Sequence, residues 1–178
     1  MCEGHIKEPP KVELLCREEY TGLYSLSWRR TLSQLDKRGQ GQRIEQGARG
    51  ILPGASVHSL RVENLEEVGK PLVVSWTAES KLMDVGDGVW ALSLGLSPAN
   101  LTRRTVKTPS RRSPFFNLRT SDLTLDLQLR VDAPLVIERV PTVETIAHPI
   151  VQMERDVELS ENGRALRIHK EFHLDADR

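Results

Sequence analysis

Hydrophobic and polar residues follow two regimes along this chain, a helical period near the front and a period of two thereafter. Lys11 to Glu19, KVELLCREE, reads as a short strand. From Tyr20 to Asp36 the spacing changes: Trp28, Leu32 and Leu35 fall at i, i+4 and i+7, one stripe of a helix, with Arg29, Arg30 and Gln34 turned away from it. This helix is expected to end near Gly39. Gly41 restarts a weaker helical stretch, QRIEQGARGIL, in which Ile44, Ala48, Ile51 and Leu52 share a face although Gly47 and Gly50 lower its propensity. Pro53-Gly54 closes it as a turn.

Beyond Gly54 the period is two. Leu60 and Val62 alternate loosely with His58, Arg61 and Glu63, and Leu72, Val74, Trp76 and Ala78 share one face. Trp90, Leu92, Leu94 and Leu96 repeat the pattern. So do Leu123, Leu125, Leu127, Leu129 and Val131, with Thr124, Asp126, Gln128 and Arg130 opposite. Near the end, VQMERDVEL and RALRIHKEF flank Ser160-Glu161-Asn162-Gly163, and Asn-Gly accepts the positive φ angles of a tight turn, so a hairpin is expected. In its second strand Leu166, Ile168, Phe172 and Leu174 face a core, and Lys170 interrupts the stripe, which predicts an edge position. Pro109, Pro114, Pro134, Pro141 and Pro149 mark connections.

Strands at fairly regular spacing without helices between them predict a mainly β protein, an antiparallel β-sandwich of about seven to nine strands with one or two short helices before it. The expected division is a segment 1–19 holding a possible strand, a helical segment 20–54, and a β-sandwich domain 55–178. At 178 residues the chain is long enough to bury one core.

Charge narrows the functional classes little. The 25 basic and 25 acidic side chains cancel, so no global field draws the chain to nucleic acid or to an anionic membrane. No apolar run is long enough for a membrane-spanning helix, and Met1 to Pro10 has acidic and polar residues where a signal peptide needs its apolar stretch. The compartment stays open between a cytosolic product and a fragment of a longer one. Cys2 and Cys16 have no spacing that suggests a disulfide framework or a zinc site.

The order of features from WRRTLSQLD through LPGASVHSLRVENLEEVGKPLVVSW, ALSLGL and RRSPFFNLRTSDLTLDLQLRVDAP to ELSENGRALRIHKEF resembles the carboxyl-terminal region of multi-domain bacterial transglutaminase-like proteins. The resemblance covers Tyr20 to Leu174 and rests on patterned hydrophobics, turns and Arg112-Ser113-Pro114. It implies a terminal β-sandwich attached to a central cysteine-dependent domain and, for the parent protein, export. It also implies a catalytic Cys-His-Asp set in that central domain, which this chain does not contain: no histidine follows Cys16 in a papain-like context, so no catalytic residue carries over. The expected role is a non-catalytic accessory module, without a cofactor, whose partner is a transglutaminase-like domain or another protein domain.

Three groups of residues are weighed for chemistry. His169, Glu171 and His173 form H-x-E-x-H on one face of the last strand, donors suited to zinc, although the solvated face of any amphipathic strand needs polar residues of some kind. Arg103, Arg104, Lys107, Arg111, Arg112 and Arg119 make the stretch from Leu101 to Ser121 basic, with Phe115 and Phe116 beside them. An independent anion-binding module using Arg103, Arg104, Arg111 and Arg112 is therefore the alternative function, against the simpler reading of a charged connection; nucleic acid is not the expected ligand. Trp28, Trp76 and Trp90 lie on apolar stripes and are expected in the core rather than on a sugar-binding platform. Neither a G-x-S-x-G elbow nor a phosphate-binding loop is present. Asn100-Leu101-Thr102 matches a glycosylation sequon, of consequence only in a eukaryotic secretory pathway.

Overall fold

The two regimes of the sequence map onto two helices and ten strands in a computed structural model, which describes residues 1–7, 11–94, 121–140, 144–147 and 151–174. Strands β1 (Cys2–Ile6) and β2 (Lys11–Tyr20) lead into helices α1 (Gly22–Ser33) and α2 (Lys37–Ile51). Then come β3 (Ser56–Glu63), β4 (Leu72–Lys81), β5 (Met83–Gly86) and β6 (Val89–Ala91), followed by β7 (Ser121–Val131), β8 (Glu144–Ala147), β9 (Val151–Leu159) and β10 (Ala165–Leu174). The protein is mainly β, with the helices near the front. Eight strands share one sheet in the order β3-β4-β2-β1-β7-β10-β9-β8, and β5 and β6 form a second, two-stranded sheet. The large sheet is mixed: β1 runs parallel to β7, while its other neighbouring strands pair antiparallel.

The period-two stripes decide which face of the sheet is dry. Val12, Leu14 and Cys16 on β2 and Leu72, Val74, Trp76 and Ala78 on β4 are buried together with Leu32, Ile44 and Ala48 of the helices. Leu127, Leu129, Val131, Leu166 and Ile168 continue the same core across the second half of the sheet. The opposite side of the central strands carries Glu13, Leu15 and Arg17, all exposed. The helix break falls earlier than expected. Asp36 caps α2, its Oδ1 accepting from the Gly39 amide at 2.7 Å, so Gly39 lies in the first turn of α2 and Gly41 behind it, not between the helices. Trp76 is core, whereas Trp28 and Trp90 are partly buried against it.

Strand β1 sits where the sheet is tightest. Its core-facing positions are Cys2, Gly4 and Ile6, in register with Leu127, Leu129 and Val131 of β7. A Cβ on Gly4 would lie 2.5 Å from Leu14 Cδ2 and 2.7 Å from Leu129 Cδ1, so only glycine lets these two leucines close over the strand. Cys2 faces Cys16 across the β1–β2 ladder, the two Cα atoms are 4.1 Å apart, and the sulfurs are bonded as a disulfide. The spacing of the two cysteines suggested no such bond, because cross-strand register, which sequence spacing does not display, is what makes them neighbours.

The carboxyl-terminal hairpin is present as expected, β9 pairing with β10 from Leu159↔Leu166 to Val151↔Leu174. Its turn takes positive φ at Gly163 (65°), whose amide donates to the Ser160 carbonyl at 2.8 Å. The predicted edge position of β10 is corrected: it lies between β7 and β9, and β8 is the edge. Lys170 points with Ile168 and Phe172 into the dry face and is buried, between Leu125 and Arg155 in register, so the interruption of the stripe marks a buried polar position.

Arg29, turned away from the apolar stripe of α1 in the sequence reading, is buried. Its Nε donates to Ser25 Oγ at 3.0 Å, Nη1 to the carbonyls of Asn64 and of Leu65 (2.6 Å), and Nη2 to the Lys70 carbonyl at 2.7 Å. One guanidinium therefore organises the connection between β3 and β4 from the helix above it. Nearby, Tyr20 stacks on Tyr24 and Trp28, and the Arg43 guanidinium lies 4.8 Å from the centre of the Trp28 ring, which ties α2 to α1. Glu18 accepts from Trp76 Nε1 at 2.7 Å and from the Tyr20 hydroxyl. Burial first, then the Glu18 charge, holds the Tyr20 phenol well above its ordinary pKa, so it stays a neutral donor.

Candidate interaction surface

The residues singled out for metal binding lie on the outward face of β10, alternating with buried Ile168, Lys170 and Phe172. His169 is held from both sides. Its Nδ1 is 2.7 Å from Asp126 Oδ1 on β7, and its Nε2 is 3.2 Å from Glu171 Oε1 on its own strand. The hydrogen bond to Asp126 is the main cause that raises the His169 pKa, with a smaller contribution from Glu171 and partial burial opposing both. An imidazolium donating through both nitrogens is the state this arrangement favours, and neither nitrogen then has a lone pair for a metal. His173 stands two residues beyond Glu171, in register with Asp122 and Gln152. Among the described residues no group of three or more His, Cys, Asp and Glu side chains is disposed to hold a metal ion. Arg103, Arg104, Arg111 and Arg112 lie outside the described residues.

Two open concavities mark the surface. One, of about 450 Å³, lies on the outer face of the sheet and is lined by Glu3, His5, Glu13, Leu15, Gln128 and Arg130 among others. His5 at its rim pairs with Asp132 at 2.9 Å. The other, of about 530 Å³, lies between the start of α1 and the connection after β3, where Leu26 and Val68 are exposed. Both are shallow compared with the enclosed, mostly apolar clefts that hold small molecules.

Among the described residues the hairpin of β5 and β6 is the most apolar exposed element; the run expected over Trp90, Leu92, Leu94 and Leu96 is strand only at Val89–Ala91, with Leu92 to Leu94 outside it and Leu96 outside the described residues. Met83, Val85 and Val89 are 59%, 56% and 45% exposed. Trp90 is half-buried against the core at its base. The turn is built by Asp87 (φ 53°) and Gly88 (φ 74°), preceded by Gly86 (φ 93°), three consecutive positive φ values, and Asp84 Oδ1 accepts from the Gly86 amide at 2.8 Å. The signal was available: Asp-Gly between MDVG and VWA is a strong short-range hairpin signature. A two-stranded sheet has little stability alone, so its anchor at Trp90 and its continuity with β4 through Leu82, which is buried, hold it in place. No helix of the described residues is long and apolar enough to cross a membrane. No protein-family model, curated protein or solved structure matches the chain, so its function is inferred from its residues and their geometry.

Proposed function

We propose that this chain is a non-catalytic interaction module that docks on another protein domain, and that the partner is a transglutaminase-like domain, as the resemblance of its sequence implies. The observation that carries the docking is the β5–β6 hairpin, where Met83, Val85 and Val89 leave apolar surface in water on an element with a rigid turn and a buried base. Isolated apolar residues on a surface are ordinary; three on one short hairpin, at the end of a long, well-buried strand, suit a contact that another protein completes. A photo-crosslinking residue placed at Val85 in cells tests this. The expected product is a crosslink to a transglutaminase-like domain, lost when Met83 and Val89 are changed to serine. Labelling at Val85 no greater than at the exposed turn position Asn162 would refute docking through the hairpin, and a crosslink to an unrelated protein would refute the assigned partner.

A further inference from the structure

Strand β1 joins the two halves of the large sheet. On one side of it lie β2, β4 and β3, on the other β7, β10, β9 and β8. This joining strand has five residues and is poorly anchored by its own side chains. Of its three core-facing positions, Gly4 has no side chain, Cys2 contributes one sulfur, and Ile6 is the single aliphatic group. One such anchor is little for a strand at the centre of a sheet. What adds to it is covalent: the disulfide from Cys2 to Cys16 of β2, a link closing 14 residues of chain, with Cys2 2% and Cys16 0% exposed.

We propose that this disulfide is a redox-governed clip on the joining strand, and that its reduction opens the sheet between β2 and β7. When β1 fluctuates open and exposes the bond, which is buried in the closed sheet, a dithiol reductant attacks one sulfur as thiolate, forms a mixed disulfide, and leaves as its own cyclic disulfide. Two electrons and two protons pass to the protein, the S–S bond breaks, and Cys2 and Cys16 become thiols. With the clip gone, β1 is held by its hydrogen-bond ladders, by Ile6, and at its far end by the His5–Asp132 pair and the Asp132 amide on the Ile6 carbonyl. Opening it uncovers the inner edges of β2 and β7, with Leu14 and Leu129 beside the vacated position of Gly4. An unpaired edge of this kind accepts an extended strand from another chain.

Hydrogen exchange on the full, air-oxidised chain, with and without dithiothreitol, tests the clip. Closing a loop of this length restricts the open state enough that its loss raises opening on the order of a hundredfold. Exchange over residues 2–6 and over the facing part of β7, 127–131, should rise by about that factor on reduction. The buried β4 amides from Leu72 to Ala78 should not change. The double variant C2A/C16A should show the same pattern without reductant and no further response to it. Two titratable thiols in the denatured, air-oxidised protein, exchange unchanged by reductant, or a rise spread equally over β1 and β4 would each overturn the proposal.

Discussion

Replacing Arg29 by methionine keeps an unbranched side chain in a buried place and deletes every hydrogen bond that the guanidinium makes. Four partners lose a donor: Ser25 Oγ and the carbonyls of Asn64, Leu65 and Lys70. Hydrogen bonds to charged groups contribute about 1.5–3 kcal/mol each, but they are not additive. Much of the loop is solvated, Glu66 to Gly69 being exposed, so freed carbonyls can turn to water and recover part of the loss. A loss of about 3 kcal/mol results, the low end of what breaking a buried charged network costs. For a chain of 178 residues that lowers Tm by about 6–12 °C. Lysine at this position offers three donors without the planar fork and should recover less than half of it. Thermal unfolding by circular dichroism gives the magnitude, and hydrogen exchange over 64–71 gives the place. A Tm within about 2 °C of the parent, or a loss of stability that leaves exchange in this loop untouched, would show that Arg29 does not organise the connection.

Two other residues give sharp tests. Gly4→Val forces a branched side chain into the space closed by Leu14 and Leu129, and overpacking there should cost about 3 kcal/mol in denaturant unfolding, the upper part of the usual range; a neutral variant would mean that β1 is not clamped between these leucines. His169 should titrate above its ordinary value of about 6.5, and Asp126→Asn should bring it down, read from the imidazole signals in a pH series. Because the folded pKa is raised, the stability that His169 adds is complete below the unfolded value and is lost as pH rises through the folded one. The Tm gap between parent and D126N should therefore narrow on the alkaline side of that pKa; a constant gap from acid to alkaline pH would exclude an ionised His169–Asp126 pair.

What sequence could reveal here was local. The stripe of Leu72, Val74, Trp76 and Ala78 became the buried face of β4, and the turn around Asn162-Gly163 became the β9–β10 hairpin, because alternation and turn chemistry are properties of adjacent residues. The helix boundary was missed by weighting Gly39 and Gly41 over the cap at Asp36, whose carboxylate starts α2 three residues before the first of these glycines. Lys170 pointed to an edge under the rule that charges avoid sheet interiors, and tertiary packing overrode it. The pairing of β1 with β7, the Cys2–Cys16 bond and the partners of Arg29 depend on residues far apart in the chain, which periodicity cannot connect. The same holds for His169: the H-x-E-x-H spacing drew attention to it, but Asp126, the residue that fixes its charge, is 43 positions away.

The parallel junction also sets an order of assembly. β9 and β10 are adjacent in sequence, as are β3 and β4, so each pair finds its partner across a short connection. Cys2, by contrast, must meet Leu127. A contact spanning so much of the chain carries a large loop-closure penalty and forms slowly until both strands that flank it have been presented by local structure. During synthesis β1 emerges long before β7 exists, and β2 is the nearer in sequence of its two sheet neighbours. The centre of the finished sheet therefore waits on a contact that no local pairing supplies.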